Sequence, residues 1–280
     1  MPIFSAPDGT ALAVTLSGPE TEPVVCLPGG PMRAGGYLGD LGGLSARRRL
    51  AVLDLRGTGG SEAPADPATY RCDRQIEDVE ALRKHLGLDR FDLLGHSAGA
   101  SLAVRYVARY PRRLRRLALI APSPRAVGFD VPAAERRRIM ARRAGAPWFD
   151  AAAAAYESIA AKTATSADWA AFAPFYYGRW DAAARQHQAG EPGQRNGAAA
   201  RIYNADGAFE PEATRAALGA VTAPVLVLAG ELDWIAGPAV AERIAGLFPD
   251  GRAVVLPGAV HYPWLDDAAA FASAVGGFLA

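Results

Sequence analysis

The chain has little of what would mark it for several large classes of function. It carries two cysteines, Cys26 and Cys72, in 280 residues. That is too few for a disulfide framework or a zinc site. Cys26 stands in the apolar run Val24-Val25-Cys26-Leu27, where a thiol serves as a small, inert, buried group. An excess of charge is also lacking, with 30 Lys and Arg against 29 Asp and Glu. Near-neutrality argues against nucleic acid or an anionic membrane as the main partner. No apolar run reaches the roughly 20 residues of a membrane span. The sequence opens Met-Pro-Ile-Phe, without a basic segment leading into an apolar one, so a cytoplasmic protein is expected. Histidine is scarce, with four in the chain, which shortens any search for a catalytic base.

What is present is a globular composition, half of it hydrophobic, long enough for one α/β domain with an insertion. Ile3 to Ala6 and Leu12 to Leu16 flank Asp8-Gly9-Thr10 and read as a hairpin. Val24 to Leu27, Leu50 to Leu53, Phe91 to Leu94, Leu117 to Ala121, Pro224 to Ala229 and Ala253 to Leu256 read as short buried strands. Helical patterns follow, among them one capped by Asp73 and running to about Leu86, one from Pro238 to Phe248, and one ending the chain. This alternation predicts a doubly wound, mostly parallel sheet. Between about Ser123 and Ala220 the strand rhythm stops and helical segments take over. The expected division is a core over 1–122 and 221–280 with a helical cap over 123–220. Inside it, the basic run Arg136, Arg137, Arg138, Arg142 and Arg143 is read as a solvated face.

Chemistry concentrates at Gly95-His96-Ser97-Ala98-Gly99, placed between a strand and a helix. A sharp strand-to-helix turn pushes the middle hydroxyl clear of the sheet, and the flanking glycines let strand and helix approach. A serine hydroxyl needs a base to take its proton. Of the four histidines, His85 lies in a helix beside Lys84, His96 is inside the turn, and His187 falls in the helical segment. His261 follows the last core strand, on the sheet edge that also carries Ser97. The carboxylate that orients such a base comes between serine and histidine in the chain. Asp233 fits, just after the strand ending at Ala229, with Glu231 as the nearest rival. Asp54 reads as a loop anchor, and Asp266 and Asp267 as caps of the last helix. Donors for an oxyanion are expected from the amides of Ala98 and Gly30, the latter in Pro28-Gly29-Gly30-Pro31.

With these residues assembled, the chain resembles the α/β-hydrolase superfamily, and within it the prolyl aminopeptidase (proline iminopeptidase)-like group. The likeness rests on Gly29-Gly30-Pro31, Asp54-Leu55-Arg56-Gly57-Thr58-Gly59-Gly60-Ser61, the serine turn, Gly230-Glu231-Leu232-Asp233, and His261. It implies a serine hydrolase that needs no cofactor or metal, has a helical cap, and acts on a small molecule or short peptide. The expected reaction is removal of an N-terminal aminoacyl group through an acyl-enzyme. The chain departs from the group at three places. Pro28 stands where members commonly have His, Ala98 where iminopeptidases often have Trp, and Tyr203 where they carry a cap glutamate. Gly29, Tyr203, Glu157, Asp181 and Glu191 are the candidate substrate-binding residues. The departures keep a carboxylesterase, lactonase or natural-product tailoring hydrolase as the alternative. A non-catalytic binding protein on the same fold is more remote. Composition leaves the oligomeric state open.

Overall fold

A computed structural model describes residues 1–280. Eight strands form one sheet: β1 (Ile3–Ser5), β2 (Ala11–Ser17), β3 (Val24–Leu27), β4 (Leu50–Leu53), β5 (Phe91–His96), β6 (Leu114–Ile120), β7 (Val225–Gly230) and β8 (Gly251–Leu256). Their spatial order is β1-β2-β4-β3-β5-β6-β7-β8. The first three neighbours pair β1 with β2 and β2 with β4 antiparallel, and the remaining pairs are parallel. This is the expected doubly wound α/β sheet, led by the expected hairpin.

The parallel strands read as unbroken apolar runs because both faces of the sheet are covered. Side chains alternate between the faces. Val25, Leu27, Leu93, Leu117, Leu119, Val225 and Val227 pack into one core. Val24, Cys26, Leu94, Ala118, Ile120, Leu226 and Leu228 pack into the other. On the first face lie α1 (Ile76–His85) and α2 (Ala98–Arg109).

Between β6 and β7 the chain forms no strand. It runs through α3 (Ala133–Ala141), α4 (Phe149–Ala160), α5 (Ser166–Phe172), α6 (Ala182–Ala189), α7 (Glu191–Gln194), α8 (Gly197–Tyr203) and α9 (Pro211–Leu218). Tyr156, Phe172 and Phe175 form an aromatic cluster here that also takes in Trp234 from the loop after β7. The chain closes with α10 (Pro238–Ala245), α11 (Pro263–Asp266) and α12 (Ala268–Leu279). None of these helices is long and apolar enough to cross a membrane.

Three local expectations need correction. Asp73 does not cap α1, because Cys72–Gln75 first forms a 3-10 turn and the Asp73 carboxylate is held by Arg71 Nε and Nη2. Asp267 caps α12 through the Ala270 amide, but Asp266 does not. Its two oxygens accept from Gly178 and Val260, so it joins the helical segment to the loop that carries His261. Asp54 is a loop anchor, accepting from the Gly35 and Gly60 amides at 2.7 and 2.9 Å. Of the basic run, Arg137, Arg138 and Arg142 pair at the surface with Glu157, Glu135 and Glu231. Arg143 departs from the run. It is half-buried and donates to the carbonyls of Pro174 and Gly178.

Candidate active site

Strands β3 and β5 to β8 run parallel, so the loops at their carboxyl ends meet along one edge. Ser97 follows β5 directly, at φ 52° and ψ −116°, in the left-handed region that a residue with a Cβ avoids. Two glycines make the turn sterically possible. A Cβ at Gly95 would stand 2.7 Å from the Gly99 carbonyl, and one at Gly99 would strike the carbonyls of Leu27 and Pro28. The Ser97 amide donates to Ile120 O at 3.0 Å and its carbonyl accepts from Ser123 N at 3.1 Å, which fastens the turn to the end of β6.

Ser97 Oγ lies 2.9 Å from His261 Nε2, and His261 Nδ1 lies 2.9 Å from Asp233 Oδ2. Asp233 is fully buried and His261 is 4 % exposed. The second Asp233 oxygen accepts from the amides of Ile235 and Ala236, which fixes the carboxylate plane. Glu231, the rival carboxylate, points elsewhere and binds Arg142 and the Gly258 amide. The backbone of His261 donates to Tyr176 O at 3.1 Å. Its ring lies 5.7 Å from that of Tyr176, which in turn packs against Trp234 at 5.6 Å. One wall of the site is therefore aromatic. Tyr176 and Trp234 carry no sequence signal beyond lying near Asp233 or in the helical segment.

The β3 loop abuts the serine turn. A Cβ on Gly29 would sit 2.9 Å from Ser97 Cβ and 3.3 Å from the Ala98 amide. The Gly29 N–H is already engaged by Tyr37 Oη at 2.7 Å. Gly30, at φ 116°, donates its amide to no protein acceptor. The Ala98 amide begins α2 and has no partner earlier in that helix. Neither of the two amides named from sequence donates to a protein acceptor, and Ala98 adjoins Ser97.

The structure does not gather the remaining candidates around Ser97. Tyr203 is completely buried, with its hydroxyl donating to Ala98 O at 2.8 Å and accepting from Cys72 Sγ at 3.3 Å. It braces the start of α2, and both of its hydroxyl bonds are to the protein interior. Glu157 pairs with Arg137 at the surface. Asp181 caps α6 through the Ala184 amide. Glu191 binds Gln188 and Arg195. Of the other histidines, His85 is exposed and stacks on Phe4, and His187 lies between Tyr177 Oη and Tyr37 O. His96 is buried directly under the turn.

Comparison with known proteins bears on the family of the chain. Residues 22–268 match the family described as alpha/beta hydrolase fold. A proline iminopeptidase of Heyndrickxia coagulans is 34 % identical over 100 residues, covering 36 % of this chain and 35 % of that protein. The human (lyso)-N-acylphosphatidylethanolamine lipase is 35 % identical over 113 residues, covering 39 % and 33 %. The chain therefore matches about a third of the length of these curated relatives. Among solved structures, a proline iminopeptidase of Mycobacterium smegmatis superposes at TM-score 0.73 and 25 % identity, covering 99 % of this chain and 97 % of that one. The chain belongs to the alpha/beta hydrolase fold family and, within it, is similar to the prolyl aminopeptidases.

Proposed function

We propose that this hydrolase is a serine hydrolase working through an acyl-enzyme, with Ser97 as nucleophile. The observation that carries the reading is the hydrogen-bonded series Ser97 Oγ, His261 Nε2, His261 Nδ1, Asp233 Oδ2 beside two free amides. Ser97 Oγ attacks the substrate carbonyl carbon as His261 Nε2 takes its proton. Asp233 holds the Nδ1 proton and stabilises the imidazolium. The amides of Ala98 and Gly30 receive the negative oxygen of the tetrahedral intermediate. The bond to the leaving group then breaks, and His261 delivers its proton to the departing oxygen or nitrogen. Water, deprotonated by the same histidine, releases the acid and restores Ser97. Residues 123–220 act as a cap over this centre, with 1–122 and 221–280 as the catalytic core.

For the substrate, we favour a small ester or amide with an uncharged, apolar acyl group. A free ammonium needs a carboxylate to pair with, and Tyr203 stands where the related aminopeptidases place one. The carboxylates Glu157, Asp181 and Glu191 are engaged elsewhere. Removal of an N-terminal prolyl or other aminoacyl group is the second reading, favoured by the proline iminopeptidase relatives. Turnover of acyl nitrophenyl esters, prolyl naphthylamide and its N-blocked form separates the two. Faster turnover of the free-amine compound would establish the aminopeptidase reading in place of the ester one. Ser97→Ala is expected to lower kcat by about a millionfold on whichever substrate is best. Unchanged turnover would remove Ser97 from the chemistry altogether.

A further inference from the structure

Under the Ser97 turn runs a buried chain of hydrogen bonds that the acyl-transfer steps do not use. The Gly29 amide donates to Tyr37 Oη at 2.7 Å, Tyr37 Oη lies 2.7 Å from His96 Nδ1, and His96 Nε2 lies 2.9 Å from the His261 carbonyl oxygen. Tyr37 is 5 % exposed and His96 1 %. The chemistry of the two ends fixes the outer bonds, and the middle one follows because the Tyr37 hydroxyl hydrogen has His96 Nδ1 as its acceptor and no other. An amide N–H only donates, so Tyr37 Oη accepts there and keeps its one hydrogen for His96 Nδ1. A carbonyl only accepts, so His96 Nε2 carries the ring proton. His96 is consequently neutral, with both nitrogens engaged. A second ring proton would meet the Tyr37 hydroxyl hydrogen head-on.

The surroundings favour the same state. Burial, and after it the adjacent His261, hold the His96 pKa well below the ordinary histidine range. His187 and Arg33 act in the same direction, and the His261 carbonyl opposes them. The ring is caged by His261 at 4.9 Å, Trp264 at 4.8 Å and Tyr262 at 5.4 Å between centroids. The Arg33 guanidinium covers the Tyr37 ring at 4.4 Å.

We infer that Tyr37 and His96 are positioning residues that lock the oxyanion loop, the nucleophile turn and the base to one another through this single buried chain. Tyr37 grips the loop at Gly29, one residue before the Gly30 donor. His96 is the residue before Ser97, so its backbone is part of the turn. Its Nε2–H holds the His261 backbone, which sets how far the His261 ring stands from Ser97 Oγ. The three parts come from β3, β5 and β8, far apart in sequence, and no covalent link fixes their spacing. Buried polar groups left without partners are costly, so the chain resists loss of any one member. The inference rests on the acyl-transfer reading of Ser97 and His261, but its first readout does not.

That readout is the nitrogen-15 spectrum of the wild-type histidines. His96 is expected to show a protonated Nε2 and a bare Nδ1 from pH 5 to 9, and a protonated Nδ1 overturns the inference. The second is kinetic, on the best ester or amide substrate. Tyr37→Phe and His96→Leu are each expected to lower kcat about 10- to 100-fold with KM within about twofold, because misplacing reacting groups costs turnover before binding. Members of one chain are not additive, so the double variant should fall no further than the worse single one. Losses that multiply overturn the inference, as does a loss confined to KM. His96→Gln keeps an N–H for the His261 carbonyl and should recover part of what His96→Leu loses. Equal impairment of the two overturns that arm. Should His96→Leu fail to fold, the isosteric Tyr37→Phe and the spectrum decide alone. Ser97→Ala that still turns over substrate defeats the acyl-transfer reading and leaves the spectral result standing.

Discussion

The α/β core and the helical segment between β6 and β7 handle polar groups in opposite ways. The core buries Asp54, Asp78, Glu80, Asp92 and Asp233, each hydrogen-bonded or ion-paired, together with Arg56, Arg83, His96 and His261. In residues 123–220, tyrosines aside, Thr214 is the one buried polar side chain. The charged residues there pair across the surface, and the interior is Tyr156, Phe172, Phe175 and their neighbours. Burying a charge is costly unless partners are built around it, so the core spends stability where geometry must be exact to a few tenths of an ångström. The helical segment contributes an uncharged aromatic wall instead.

That contrast breaks most sharply at Asp233. Asp233→Asn preserves shape but presents an amide to His261 Nδ1 and favours the wrong tautomer. It should lower kcat by about 10⁴-fold, with thermal stability measured alongside to show that the fold survives. A loss of tenfold or less would mean that the buried carboxylate serves folding more than chemistry. Second in size is Phe172→Ala, inside the helical segment. Phe172 is completely buried and packs against Trp234 at 5.1 Å, so its removal should cost about 3–5 kcal/mol in urea unfolding. A much smaller cost would show that the segment's interior is loosely packed. Third is Tyr203→Phe, at the seam between the regions. It removes one hydroxyl hydrogen-bonded to Ala98 O and to Cys72 Sγ and should cost about 1 kcal/mol by the same measurement. A substantially altered kcat in that variant would show that bracing α2 from behind also tunes the nucleophile.

Tyr203 also marks where the sequence stopped being legible. The buried strands could be read because their apolar runs are continuous, and the Ser97 turn because only glycines fit at 95 and 99. Asp233 and His261 followed from chain order and strand ends. Those signals are local. Tyr203 stands at the position of a cap glutamate in the related group, yet its direction depends on how α8 docks on α2, which no local pattern encodes. The same holds for Asp266. Its place before the last helix suggested a cap, and its partners Gly178 and Val260 come from the helical segment and the β8 loop. His96 lies inside the turn and is no base for Ser97, and its bonds to Tyr37 and His261 appear only once three strand ends are brought together.

The smallest expected effect lies at the same seam and is a matter of pH. His187, on α6, donates from Nε2 to the Tyr37 carbonyl at 3.1 Å and accepts at Nδ1 from Tyr177 Oη at 2.8 Å. Burial, and then the Arg33 cation, push its pKa down to about 4 from the ordinary 6.5. The folded chain therefore keeps His187 neutral over a range in which the unfolded chain protonates it. Between those two values the unfolded state binds more protons, so stability falls as pH drops from 6.5 toward 4. Below about 4 both states carry the proton and the slope from this residue ends. His187→Asn removes the titration, while burial, the largest cause of the like-signed His96 contribution, stays in both proteins. Melting temperatures across pH 4 to 8 should thus drop more steeply for the wild type than for the variant below pH 6.5. Parallel curves would mean that His187 is open to protons in the folded chain, and that the helical segment rests on Tyr37 more loosely than the buried chain beneath it.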